Sequence, residues 1–287
     1  MAEPVILVVG SLHYDIMVQA TSLPRKDETA VGSRWYPKFG GKGGNQAVAA
    51  QKGGAVVRMC GAVGNDDFGH FLRHNLQAGG VDDRFVATVA DAGSGMSVAI
   101  MDAAGDYAAT IVSGANLLIV AGALQDAKMW QDVALLVLQN EVTEAINIAA
   151  ARQAKARGIR TLLNAAPYRP LSEEFRRLID LLVVNAVEAE MMGTEQITSL
   201  ASAAEAARRL ARQFSQGVVT AGAQGLAAWT EAADIVPIAA QRVKAVSSHG
   251  AGDAFIGALA HRLVRGDTLE TACQAASIAA ARHVAGL

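Results

Sequence analysis

Short β-branched runs alternate with Ala-rich helical windows from about residue 45 to the end of this 287-residue chain, and that alternation most restricts its fold. Strands are predicted at 56–59, 134–138, 161–163, 181–184 and 218–221, and helices at 46–51, 67–78, 144–157, 173–178, 203–214, 252–264 and 269–283. Such a series builds βαβ crossovers, hence an α/β fold with a doubly wound, mainly parallel sheet covered by helices on both faces. Ligands of such sheets gather beyond the carboxyl ends of the strands. The run Val5-Ile6-Leu7-Val8-Val9 reads as a first buried strand, because it lacks the basic flank and cleavage site of a signal peptide. Two segments break the rhythm. Residues 15–39 hold no convincing helix, and 97–112 read as a hairpin turning at Ala103-Ala104-Gly105. Together, segments of about 14–39 and 96–113 are expected to form a small β-sheet lid over the site, within one domain spanning 1–287.

Composition narrows the function. Lys and Arg number 25 against 27 Asp and Glu, a net charge of −2 with no long block of either sign, so nucleic acid is not an expected partner. Two cysteines, Cys60 and Cys273, fit neither a disulfide framework nor a metal spacing and suit a cytoplasmic setting. No long uncharged apolar stretch points to a membrane span.

Three segments could carry chemistry. Gly250-Ala251-Gly252-Asp253 leads into an apolar helical stretch, where small residues let backbone N–H groups approach an anion with a carboxylate beside them; a helix cap would look the same. Gly40-Gly41-Lys42-Gly43-Gly44-Asn45-Gln46-Ala47 leaves Lys42 and Asn45 to face a polyhydroxylated ligand, or is a flexible turn before a helix. It is not a Walker A loop, since Gly43 follows Lys42. Thr220-Ala221-Gly222-Ala223-Gln224-Gly225 follows a strand and could hold nucleotide phosphates or ribose. Asn185 with Glu188 and Glu190 could steer hydrated Mg²⁺ or be an ordinary N-cap with first-turn acids. His70 and His74 are an i,i+4 pair without a third ligand, read as a solvated helix face. There is no G-x-S-x-G elbow, no H-R-D loop and no G-x-G-x-x-G after the first strand.

In order, Gly10-Ser11-Leu12-His13-Tyr14-Asp15, the glycine segment at 40–47, Asn185-Ala186-Val187-Glu188-Ala189-Glu190, Thr220 to Gly225 and Gly250 to Asp253 resemble the ribokinase, or PfkB, family of carbohydrate kinases over nearly the whole chain. The resemblance implies an ATP- and Mg²⁺-dependent kinase acting on the primary hydroxyl of a pentose or related furanose, and a lid that would join two copies as a homodimer. It implies Asp253 as base and Gly250, Ala251 and Gly252 as an anion hole. It implies a sugar set of Asp15, His13, Gly41, Lys42, Asn45 and Glu141. Asn185, Thr220, Gly222 and Gly225 resemble part of the ATP site, and Glu188 a group acting on Mg²⁺ through water. An Asp at a helix N-terminus is expected to stay ionised.

Three departures from the family pattern stand out. His13 replaces a common Asn, which weighs against D-ribose as the acceptor. Ser247-Ser248 replaces an Asp-Thr pair, which weighs against an activating K⁺, and the sequence ends at Ala285-Gly286-Leu287, before residues that would complete such a cation loop. The rival readings are a nucleoside kinase on the same scaffold, a sugar- or nucleotide-binding protein without turnover and, more distantly, a dinucleotide-dependent oxidoreductase.

Overall fold

A computed structural model describes residues 3–102, 107–232 and 234–287. A nine-stranded sheet runs through its middle, and the strand that begins it, β1 (Val5–Val9), is buried along its whole length. Val5, Leu7 and Val9 point to one apolar cluster while Ile6 and Val8 point to the other, so a continuous apolar run serves both faces. β1 pairs in parallel with β4 (Val56–Gly64) and β8 (Val133–Gln139), and β4 pairs in turn with β5 (Asp82–Val89). From β8 the sheet continues in parallel through β9 (Arg160–Asn164), β10 (Leu181–Asn185) and β11 (Gly217–Thr220). It ends in an antiparallel edge, β12 (Leu226–Trp229) and β13 (Ile235–Ile238), which the alternation in the sequence did not foretell.

The helices divide between the two faces. α3 (Glu144–Ala156), α4 (Glu173–Arg176), α5 (Ala186–Met191) and α6 (Leu200–Leu210) contribute Ile146, Phe175, Ala189 and Ala207 to one cluster. α1 (Lys42–Lys52), α2 (Asp67–Ala78), α7 (Ala251–Val264) and α8 (Leu269–Val284) contribute Ala47, Leu76, Phe255 and Cys273 to the other. Their Ala content permits close approach: Gly257 packs so tightly on α1 that a Cβ there would lie 2.5 Å from the Ala49 Cβ. Burial pushes the Cys60 and Cys273 thiols up to about 12, so both are inert core groups.

Two segments outside the alternation form a second sheet of four strands. β2 (His13–Ala20) pairs antiparallel with β3 (Gly32–Gly40) and parallel with β6 (Met96–Met101), and β6 pairs antiparallel with β7 (Tyr107–Val112). The predicted turn at Ala103-Ala104-Gly105 lies outside the described residues. Tyr14 ties this sheet to α2 by stacking on Phe68, with ring centroids 4.0 Å apart. His70 and His74 are exposed on α2, as a solvated face requires.

Candidate active site

The order of strands reverses direction between β1 and β8: the chain proceeds from β1 to β4 and β5 on one side and from β8 to β9, β10 and β11 on the other. Such a switch point opens a crevice at the carboxyl ends of the two strands. Gly10 and Ser11 follow β1 there, and Asn140 and Glu141 follow β8.

The glycine segment lines this crevice, but not as a flexible loop before residue 46. α1 begins at Lys42, so Gly43 and Gly44 are helical. Only Gly41, at φ +85°, needs a conformation closed to side chains. Gly43 and Gly44 are small because neighbours crowd them, a Cβ landing 2.6 Å from Ser11 N in the first case and 2.7 Å from Phe39 Cζ in the second. No side chain of the local sequence caps α1; Glu141, just after β8, does so. Its Oε2 accepts from Lys42 N at 2.8 Å and from Ser11 Oγ at 2.5 Å, a carboxylate where the helix dipole favours one. His13 Nδ1 lies 3.8 Å from the same oxygen. His13 is only 3% exposed, and its Nε2 has no hydrogen-bond partner among the described residues. Asp15 accepts from Ser97 Oγ at 2.6 Å. Burial pushes the Asp15 carboxyl up, against that hydrogen bond and the charges of His13, His249 and Lys38.

Asp253 arrives in the first turn of α7, after Gly250 at φ +84°. Asn45 Nδ2 donates to its Oδ2 at 3.2 Å and Gln46 Nε2 to its Oδ1 at 3.0 Å. Burial pushes the Asp253 carboxyl up, opposed by the Lys42 charge and then by these two hydrogen bonds, while Glu141 adds to the rise. Burial thus works against the ionisation that a helix N-terminus favours. The turn is also a partition. Ala251 and Gly252 line a cleft of about 740 Å³, whereas Gly250 and Asp253 line a cavity of about 510 Å³ with Asn45, Lys38 and His249.

Asn185, Thr220, Gly222 and Gly225 all line the 740 Å³ cleft, with Phe255 as an apolar wall that no motif announced. Asn185 ends β10 and caps α5. Its Oδ1 accepts from Glu188 N at 2.9 Å, and Glu188 Oε2 accepts from Asn185 N at 2.9 Å, a reciprocal capping box. The N-cap reading of these residues therefore holds. Glu188 is buried, which pushes its carboxyl up, while the Lys42 charge draws it down. Lys42 therefore acts on Glu188 and Asp253 alike. Glu190 is not part of this group, because its Oε1 accepts from Ile197 N at 2.8 Å and anchors the chain after α5. No cluster of three His, Cys, Asp or Glu side chains placed to hold a metal occurs among the described residues. Missed by sequence reasoning were the buried amides Gln139 and Asn164, which have no motif around them, and the role of Gln46, which stands in the glycine segment.

The profile of the pfkB family carbohydrate kinases matches residues 4–285. The chain belongs to this family. It is accordingly an ATP-dependent carbohydrate kinase, and its fold is that of the family's ribokinases. The chain is 34% identical to a ribokinase of Mus musculus over 262 residues, covering 90% of this chain and 81% of that one. It is also 34% identical to a deoxyribokinase of Salmonella typhimurium over 287 residues, 98% of this chain and 92% of that one. The structure of Arabidopsis thaliana ribokinase complexed with ribose and ATP superimposes with a TM-score of 0.90 at 26% identity, covering 99% of this chain and 93% of that one. No helix among the described residues is long and apolar enough to cross a membrane.

Proposed function

We propose that this kinase transfers the γ-phosphoryl group of ATP to the primary hydroxyl of a pentose or related furanose. The observation that carries the reading is Asp253, held by Asn45 and Gln46 of the glycine segment and following directly on Ala251 and Gly252, which line the 740 Å³ cleft. ATP would occupy the 740 Å³ cleft and the sugar would lie on the Asn45 side, so the acceptor oxygen meets the γ-phosphorus at Gly250 to Asp253. Asp253 takes the hydroxyl proton as the new O–P bond forms and the bond to the β-phosphate oxygen breaks, releasing ADP. A loose phosphoryl-transfer transition state needs little early deprotonation, so orientation and neutralisation of the phosphoryl oxygens matter more. The first-turn N–H groups of α7, which begin at a glycine with no side-chain cap, supply that neutralisation. Lys42 adds a positive charge shared between the two sides.

Asp15, Gly41, Lys42, Asn45 and Glu141 form the sugar side in this reading, and the unpartnered His13 Nε2 offers the acceptor one more polar contact. Relatives named ribokinase and deoxyribokinase support the pentose class. Glu188, tied by its capping box to the cleft-lining Asn185, would act through water on Mg²⁺, an ion that keeps several waters and is bound largely through nucleotide phosphates. When bound, Mg²⁺ neutralises phosphate charge; the chain's own residues orient the acceptor and hold the proton at Asp253. The four-stranded sheet acts as a lid that excludes water, the competing acceptor.

ADP release measured across pentoses, 2-deoxypentoses, hexoses and nucleosides tests the reading. A pentose or 2-deoxypentose is expected to be turned over fastest, and a nucleoside leading the panel would overturn the acceptor class. Asp253→Asn is expected to lower kcat by at least about 10³-fold with ATP affinity intact; an unchanged rate would remove Asp253 as base.

A further inference from the structure

Four buried or half-buried amide and carboxylate side chains meet behind the reacting turn, each from a different element. Gln139 ends β8, Asn164 ends β9, Gln46 lies in α1 and Asp253 in α7. Gln139 Nε2 donates to Gln46 Oε1 at 2.9 Å, and Gln46 Nε2 donates both to Asn164 Oδ1 at 3.0 Å and to Asp253 Oδ1 at 3.0 Å. Asn164 Nδ2 donates to the Val183 carbonyl of β10 at 3.3 Å. Gln46 and Gln139 are at most 1% exposed, so water does not compete for these bonds.

The polarity of the chain of bonds is fixed from its far end. The Val183 carbonyl can only accept, so Asn164 must turn its NH₂ toward β10 and its oxygen toward Gln46. Gln46 must then present its NH₂ to Asn164, which turns its oxygen to Gln139, and both of its hydrogens are committed. A flipped Gln46 amide would set its oxygen against a carboxylate and against the Asn164 oxygen, which is unfavourable in a buried site. Room for the relay is made at Gly10, where a Cβ would lie 2.0 Å from Gln139 Oε1.

We propose that Gln46 is a positioning residue for phosphoryl transfer: locked by Gln139 and Asn164, its amide holds the Asp253 carboxylate in one orientation and favours its ionised form. This rests on Asp253 being the base. Burial opposes ionisation there, and the Gln46 hydrogen bond works against burial. The charged groups acting on Asp253 from neighbouring elements are Lys42 of α1, Lys38 of β3, Glu141 after β8 and His249 before α7. The Gln46 effect is read against these groups, which are the same in the wild type and in each variant. His249 is pushed down by burial and by the two lysines and is neutral over most of the range from pH 6 to 9.

The test is the pH profile of kcat/KM for the best acceptor in the wild type, Gln46→Leu, Gln46→Glu and Asn164→Leu. Loss of one hydrogen bond to a carboxylate is expected to move the acid limb of Gln46→Leu up by about one pH unit, a tenfold loss on the limb. Gln46→Glu shifts it further by adding a carboxylate, and Asn164→Leu shifts it less because the Gln46 amide keeps one acceptor. KM for ATP is expected to stay within about twofold, since Gln46 lies on the Asp253 side of the turn. Asn164→Leu carries the test if either Gln46 variant fails to fold. Profiles that superimpose on the wild type after scaling by a constant, while Asp253→Asn is inactive, would overturn this inference alone. Full activity of Asp253→Asn would overturn the assignment of the base and this inference with it.

Discussion

Gly252→Ala separates folding from chemistry. An ideal Cβ at residue 252 meets no atom within 4 Å, and the residue sits in the first turn of α7 with helical geometry. Replacing Gly by Ala in a helix stabilises it by about 0.5–1 kcal/mol, through lower unfolded-state entropy and better propensity. At about 2–4 °C per kcal/mol for a domain near this size, Tm is expected to rise by about 1–4 °C. The open space that receives the methyl is the 740 Å³ cleft, which Gly252 lines beside Ala251. If phosphoryl oxygens approach the backbone there, a methyl group displaces them by about 1 Å, and displacement on that scale costs on the order of 10²-fold in rate. Thermal unfolding and ADP release on the same preparation give both numbers. A variant with raised Tm and kcat within about threefold of wild type would refute the placement of the transferring group at this turn; a lowered Tm would refute the reading that the site is sterically open.

Gly41→Ala is the opposite case: at φ +85° its methyl would lie 2.8 Å from Ser11 O, Leu12 Cα and His13 N, so a loss of at least about 2 kcal/mol is expected from denaturant unfolding. Asp82 is lowered to about 2, first by the hydrogen bond from Arg84 and also by that from Arg58. Its folded pKa lies below the unfolded one, so its stabilisation is present above about pH 4 and is lost as pH falls toward 2. Asp82→Asn is expected to cost about 1–2 kcal/mol at pH 7, discounted for partial exposure, and little at pH 2. Just before α7, the His249 carbonyl is bonded to the His283 ring Nε2 of α8 at 2.9 Å, and Val284 O accepts from Val246 N and Ser247 N at 2.8 and 3.2 Å. The loop before Gly250 is thereby pinned by protein groups, and rates in K⁺ and in a large organic cation are expected to agree within about twofold.

What the sequence revealed follows from how local each signal is. Asp67–Ala78 was legible to the residue because Asp66 caps it, accepting from Gly69 N, and Gly79 ends it. α1 was placed four residues late, because glycine has poor helix propensity and nothing in the local sequence shows that Glu141, about a hundred residues away, caps its N-terminus. α6 was placed at 203–214 and runs over Leu200–Leu210, its start set by a Ser199 and Ser202 capping box that the Ala run concealed. The edge strands β12 and β13 escaped notice since each has four residues and Ala227-Ala228 carries little β signal. In the site, Lys42 and Asn45 stood out in a run of glycines, whereas Gln139 and Asn164 did not stand out at all and Gln46, in the same run, was given no role. A buried amide is recognisable only by its partners, and these are 93 and 118 residues from Gln46.

The helix starts explain why the glycine-rich segments were the visible ones. Six of the eight α-helices among the described residues begin with a side chain accepting from their first turn: Asp66, Thr143, Ser172, Asn185, Ser199 and Thr268. The other two, α1 and α7, begin at Gly41 and Gly250, both at positive φ and both without a side-chain cap. A glycine in place of a capping residue gives up only a few tenths of a kcal/mol, but it leaves first-turn N–H groups without a side-chain acceptor from the N-cap. In α1 the missing acceptor is Glu141, which thereby ties the end of β8 to the glycine segment. In α7 no protein carboxylate takes that place, and the first turn faces the larger cleft. The same local sacrifice serves assembly of the crevice in one helix and, on the proposed reading, neutralisation of the transferring phosphoryl group in the other. Capping α7 with Gly250→Ser should therefore fail to stabilise it as a cap would, because φ +84° is closed to Ser and His283 Nε2 stands 3.0 Å from the new Cβ.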